Sequence, residues 1–354
     1  MTEETPHSNL SMGFVSRRRL LQWAGTGALS MALPKGAAAQ SSGGAIETLT
    51  IRVSHEAPVN FINDLTLKKW ADKIKEKSGG KITVQVFPAG QLFNDSDGMQ
   101  TLVTSQGATL QMVSTSAFYV EPYCIAAGAF ELPYEFASQN QFRGALDTAP
   151  GRLISKSLSE NGLIAIGDVI DLGPLIVVSA KRPLRTLADM HGLKVRNLSG
   201  QITADAIHAL GAGPVDISFP QLPLAMSQGT VDAAVATYLA WNAVLSDIAM
   251  YGVDPQMWKV GYLQLVQRDW WNALNAPTRS LISSTLSEEI RGSWAVLDAM
   301  LARAKHALAG KGREALTLST NDIGAWKHAT ASVIEKWEPK IGREIVQGFR
   351  NGRA

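Results

Sequence analysis

The stretch LKKWADKIKEKSGGKITVQVF, residues 67–87, carries two apolar periods in succession. Leu67, Trp70, Ala71 and Ile74 fall at i, i+3, i+4 and i+7, the single stripe of an amphipathic helix. Ser78-Gly79-Gly80 ends that run. Ile82, Val84 and Val86 then alternate with Thr83 and Gln85, the period of two that marks a strand. On either side, TLTIRV at 48–53 reads as an earlier strand and Pro88-Ala89-Gly90 as a turn. Met99, Leu102 and Val103 mark a second helix, and Gly107 precedes a strand near 110–114. Strands alternating with helices at this spacing predict βαβ units and a largely parallel sheet.

The alternation resumes beyond a bend at FELPYEF, 130–136. Strands are expected at 162–170, 175–178, 193–196 and 231–235. A helix over 203–210 is closed by Gly211, the position where helices favour glycine. Residues 278–309 and 324–349 are helical in pattern and carry no strand signal.

Near the start, Arg17, Arg18 and Arg19 precede a mostly apolar run over 20–33, and Ala37-Ala38-Ala39-Gln40 follows as a small-residue cleavage site. That order is an export signal, assigned to residues 1–39. The apolar run is diluted by Gly25, Thr26, Gly27 and Ser30 and is too short to span a bilayer, which takes about 20 apolar residues. The segment SRRRLL resembles a twin-arginine signal, whose cargo crosses the membrane folded. The leader holds four of the 33 basic and two of the 31 acidic residues, leaving 29 of each. A balanced mature chain gives no electrostatic support for nucleic-acid binding or an anionic membrane surface. About 315 mature residues exceed what one core usually organises, so two lobes are expected. The destination is the periplasm.

Recognisable catalytic chemistry is missing from the sequence. The six histidines are scattered, and Cys124 is the only cysteine, so neither a metal cluster nor an intrachain disulfide is indicated. Neither G-x-S-x-G nor G-x-x-x-x-G-K-[ST] occurs. Within PYCIAAGAF, Cys124 reads as a buried, inert thiol. No cofactor is called for.

Six segments then bear on kinship: EKSGGKI (76–82), FPAGQL (87–92), LPYEF (132–136), ADMHGLKVR (188–196), ALGA (209–212) and GTVD (229–232). In this order they resemble the solute-binding proteins of TRAP (tripartite ATP-independent periplasmic) transporters, the DctP-type family, along essentially the whole mature chain. FPQLP at 219–223 resembles the P-x-x-P branch of that family. The resemblance implies an α/β, two-lobe periplasmic-binding-protein fold with hinge strands and long C-terminal helices linking the lobes. Lobe 1 is expected over 45–173, completed by about 262–300, and lobe 2 over 174–261, completed by about 301–354. The partners implied are a small organic acid and the membrane permease subunits. Nucleic acid and stable membrane insertion are not implied, and the default state is a monomer.

The resemblance also implies a site. The arginine ending GLKVR, here Arg196, pairs in the family with the ligand carboxylate, a role suited to a permanently charged planar fork; the alternative is a pairing with a surface acid. Phe219 and Tyr238 fall at aromatic positions of the second lobe. His55, Glu56, Thr115, Ser116 and Phe118 fall where the first lobe faces the cleft, or else serve as core or capping residues. Two positions depart from the sialic-acid-type members: Leu175 stands for a second arginine and Ala236 for an asparagine. One arginine beside an aromatic wall favours a small, rather apolar monocarboxylate, such as an aromatic or short 2-oxo or hydroxy acid. A binding protein feeding a sensor and an exported enzyme on the same fold are the rival readings.

Overall fold

Gly79 and Gly80 take φ of 63° and 80°, a left-handed backbone that residues with a Cβ avoid, and so end the helix Ile62–Lys77. Leu67, Trp70 and Ile74 are fully buried on that helix, and Ala71 is half-buried at the edge of the stripe. The computed structural model describes residues 44–352, and the leader read at 1–39 lies outside the described residues.

The strands among the described residues are β1 (Leu49–Ser54), β2 (Ile82–Phe87), β3 (Met112–Ser116), β4 (Leu163–Ala165), β5 (Ile170–Ser179), β6 (Lys194–Asn197), β7 (Gly213–Asp216), β8 (Ala233–Thr237), β9 (Tyr251–Gln267) and β10 (Ala315–Thr317). They form one sheet in the order β2-β1-β3-β9-β5-β8-β6-β7, with β4 and β10 also paired to β9. β1 is parallel to β2 and β3, and β6 is parallel to β7 and β8. Each end of the sheet is therefore a parallel βαβ region, as expected. The middle is not: β9 runs antiparallel to β3, β4 and β5, and β5 antiparallel to β8. The reason is that two long strands run through both lobes and join them.

β9 has 17 residues, roughly 55 Å at about 3.3 Å per residue. Its pattern was illegible because Asp254, Pro255 and Gln256 interrupt it, Gln256 with φ of 55°. The segment 162–170, expected as one strand, is divided into β4 and the start of β5 at Gly167, whose φ is 68°. The region 324–349 is likewise two helices, Thr320–Ile341 and Arg343–Asn351, separated at Gly342.

Apolar side chains collect in two clusters. The larger includes Ile51, Trp70 and Ile74, and the smaller includes Ile176, Val178 and Trp241. Phe61 and Leu301 pack against both. The helix Ala276–Gly310 ties the halves together over 35 residues, about 50 Å at 1.5 Å per residue. Its Thr285 accepts a hydrogen bond from Trp70 Nε1 (3.1 Å) near one end, and Leu308 enters the smaller cluster near the other.

Between the clusters, β5 bends. Its pairing with β9 slips between Asp171 and Gly173 and again between Leu175 and Val177, the local kinks that bulges produce. Asp171 is fully buried here, accepting from Gly173 N (2.8 Å) and from Arg143 Nε (2.7 Å). Burial alone pushes the Asp171 carboxyl up, against the pull of those hydrogen bonds. Removing Arg143 would leave an acid buried without its cation, a loss of about 3–5 kcal/mol. Arg143→Met should lower unfolding stability by that order in denaturant titrations at pH 7, and adding Asp171→Asn should restore part of it. An unchanged midpoint for the single variant would show that the ion pair does not hold the bend.

A candidate carboxylate-binding cleft

Arg196 stands near the carboxyl end of β6, opposite Val215 of β7 and Ala234 of β8. It is buried, with 2% of its surface exposed. Its guanidinium donates from Nε to Ile217 O (2.9 Å) and from Nη1 to Val235 O (3.3 Å). Nη2 donates to no protein acceptor among the described residues, and no carboxylate there lies within 4.0 Å of the group. Two main-chain carbonyls therefore aim a desolvated cation while leaving its charge unpaired at contact distance.

The group opens on a small cavity of about 50 Å³ between the lobes. Leu172, Leu175, Ala236 and Val260 wall it with apolar surface, and Phe61 and Phe219 stand beside them with ring centroids 6.4 Å apart. The carboxyl ends of β1 and β3 contribute polar groups: Glu56, Ser116 and, one short turn further, Tyr119. Tyr262 completes that side from β9. This is where ligands settle in open α/β sheets, outside the carboxyl ends of strands.

Glu56 is 3% exposed and faces Arg196 across the cavity. Its Oε1 accepts from the Tyr119 hydroxyl (3.0 Å), and its main-chain N–H donates to Asp95 Oδ1 (3.1 Å). Burial pushes the Glu56 carboxyl up, and the Arg196 charge only partly reverses this. Asp95 is pushed up further, by burial and then by the neighbouring Glu56. Tyr119 and Tyr262 are raised by burial and by these acids, so both phenols keep their protons.

Of the residues expected at the site, Arg196, Phe219, Glu56 and Ser116 line the cavity, as do Leu175 and Ala236. Thr115 lies behind the wall, beside Asp95. Phe118 is buried in the larger core. His55 is turned inward, with Nδ1 3.4 Å from Asn63 Nδ2 and Nε2 3.7 Å from Asp64 Oδ1. Burial would raise the Asp64 carboxyl, but its contact with His55 and its hydrogen bonds from Lys68 and the Asn60 N–H outweigh that and hold it at about 2. Tyr238 points away from the cleft: its hydroxyl donates to Asp254 Oδ2 (3.2 Å) and the Lys305 ammonium sits 4.3 Å from its ring. Phe61, Tyr119 and Tyr262 were not anticipated. Only Tyr119 had a local signal, standing one turn beyond Ser116 and so facing the same way.

Residues 53–340 match the bacterial extracellular solute-binding proteins of family 7. The chain belongs to that family. This family 7 protein is 24% identical to the C4-dicarboxylate-binding protein DctB of Bacillus subtilis over 305 residues, 85% of either chain. It is also 24% identical to the C4-dicarboxylate-binding periplasmic protein DctP of Shewanella loihica, over 84% of this chain and 87% of the other. Among solved structures, a TRAP periplasmic solute-binding protein from Shewanella oneidensis with bound succinate has a TM-score of 0.81 at 21% identity, covering 87% of this chain and 100% of its own. Another, from Sulfitobacter sp. NAS-14.1 with bound β-D-galacturonate, has a TM-score of 0.80 at 20% identity, covering 86% and 100%. The fold of this family 7 protein is thus the two-lobe fold of TRAP solute-binding proteins, and its place is the periplasm. Among the described residues no helix is long and apolar enough to cross a membrane, and no group of three or more His, Cys, Asp or Glu is placed to hold a metal ion.

The acid pair makes stability depend on pH in a definite direction. The Glu56–Asp95 pair retains a proton in the folded state at pH values where the unfolded chain, which releases its own near pH 4, has lost it. The folded state therefore loses stability as pH rises from there through the raised values. Denaturant titrations should show a smaller fall in stability between pH 5 and pH 8 for Asp95→Asn than for the natural protein; equal falls would contradict the assignment.

Proposed function

We propose that this protein captures a small, rather apolar organic monocarboxylate between its lobes and delivers it to the membrane permease of a TRAP transporter. The observation that carries this reading is the Arg196 guanidinium, buried and oriented by two carbonyls yet without an acid at contact distance. A carboxylate arriving there would satisfy Nη2 and neutralise the charge.

The relatives named above bind C4-dicarboxylates, and the solved structures hold succinate or galacturonate. In this chain a second carboxylate would meet no second cation: Leu175 and Ala236 supply neither charge nor amide, and the polar lining beyond Arg196 is Glu56 and the hydroxyls of Ser116, Tyr119, Thr237 and Tyr262. The small free volume also suits a compact ligand. These features favour a single carboxylate with a short or flat apolar body.

The lobes meet at Gly173 and Tyr262 in this reading. The slips in β5 flank Gly173, and the pairing of β9 with β3 begins at Tyr262. Closure about that hinge would strip water from the ion pair and so strengthen it. Each chain carries a complete cleft, which a monomer suffices to use. No catalytic step is part of this function.

Thermal-shift and calorimetric titrations with pyruvate, lactate and phenylpyruvate, set against succinate and galacturonate, test the proposal. A monocarboxylate should bind best. Arg196→Ala should weaken it roughly 30-fold to a few thousandfold, the equivalent of about 2–5 kcal/mol at about 1.4 kcal/mol per decade. Binding confined to dicarboxylates or sugar acids, or affinity unaffected by loss of Arg196, would overturn it.

A further inference from the structure

We infer that the cleft binds its carboxylate together with a proton, which the adjoining Glu56 and Asp95 carboxyls take up. This rests on the reading of Arg196 as the carboxylate's partner.

The geometry confines several charges within one closed space. Glu56 comes from the end of β1 and Asp95 from the first turn of the helix Asp95–Thr104, joined by the Glu56 N–H to Asp95 Oδ1 bond and by an Asp95 N–H facing Glu56 Oε2 at 3.5 Å. Facing them are Tyr119 from the turn after β3, Tyr262 from β9 and Arg196 from β6. The Phe219 N–H also faces Glu56 from the second lobe. His55, the titratable neighbour of Glu56 just after β1, turns instead to Asp64.

Arg196 brings one positive charge, and two ionised carboxyls would bring two negative ones. With one proton on the acid pair the empty cleft is neutral. An incoming carboxylate restores a negative excess where apolar walls weaken screening, so the remaining ionised acid is pressed to accept a proton. The proton comes from solvent and adds to a carboxyl oxygen; nothing else is made or broken. The Thr115 hydroxyl and the Ser116 main chain stand beside Asp95, and the Ser116 hydroxyl is buried without a partner, so a neutral carboxylic acid has acceptors close by. Burial and mutual repulsion raise both carboxyls, in the same sense.

Calorimetric titration of the full chain with pyruvate, from pH 6 to 8.5 in phosphate and in Tris, measures proton uptake from the difference in heats. Uptake approaching one proton per pyruvate is expected, with Kd rising up to about tenfold per pH unit over the range of uptake. Glu56→Gln or Asp95→Asn should flatten that pH profile. Zero uptake and a flat Kd in the natural protein, with binding still dependent on Arg196, would overturn this inference while leaving the proposed function intact. The converse, proton uptake with no dependence on Arg196, would sink the function instead. If pyruvate gives no heat, carboxyl 13C titration of the free protein decides: one of the two acids should still be protonated at pH 7, and two ionised acids would overturn the proton site.

Discussion

A guanidinium that the fold has taken out of water without giving it an acid at contact distance is the constraint on which this structure turns. Ions of that kind are costly to bury unless paired. Here the main-chain carbonyls of Ile217 and Val235 supply part of the missing solvation, and Nη2 is left over. β6 brings Arg196 to the cleft, β7 and β8 flank it, and the segment after β7 returns Ile217 and Phe219 to the same spot. The parallel pairing of the second lobe thus supplies both the cation and its support.

The hinge follows from a different demand. In the proposed function the cavity admits a ligand and then excludes water, which needs lobes that move while remaining one sheet. β5 and β9 meet this by running through both halves, with pairing slips placed between the two apolar clusters. The helix Ala276–Gly310 adds a stiff tie on the outside, anchored to Trp70 on one side and to the smaller cluster on the other. Asp171 and Arg143 sit at the bend, where the backbone departs from regular pairing and a buried charge can fix its course.

What the sequence disclosed, and what it withheld, follows these physical lines. The helix ending at Gly79 and the strand over 82–87 were legible because period and punctuation agree there. The place of Arg196 at the cavity was legible through its motif. β9 was not, because Asp254-Pro255-Gln256 carries turn chemistry inside a strand held by tertiary pairing, and the place of Tyr262 at the cavity was lost with it. Tyr238 stands away from the cavity for a local reason: Thr237 caps a short turn, accepting from Ala240 N (3.1 Å), and that turn carries the ring toward Asp254. His55 and Glu56 are neighbours on alternate faces of one chain segment. The period of two sends one inward and the other into the cleft, and the pattern alone does not say which.

The most direct measurement is a crystal structure of the protein grown with pyruvate. The account predicts carboxylate oxygens at hydrogen-bond distance, about 2.7–3.2 Å, from Arg196 Nη2, with the methyl end against Leu175 and Ala236. Pyruvate seated elsewhere, or Arg196 swung into direct contact with Glu56 and away from the ligand, would contradict it.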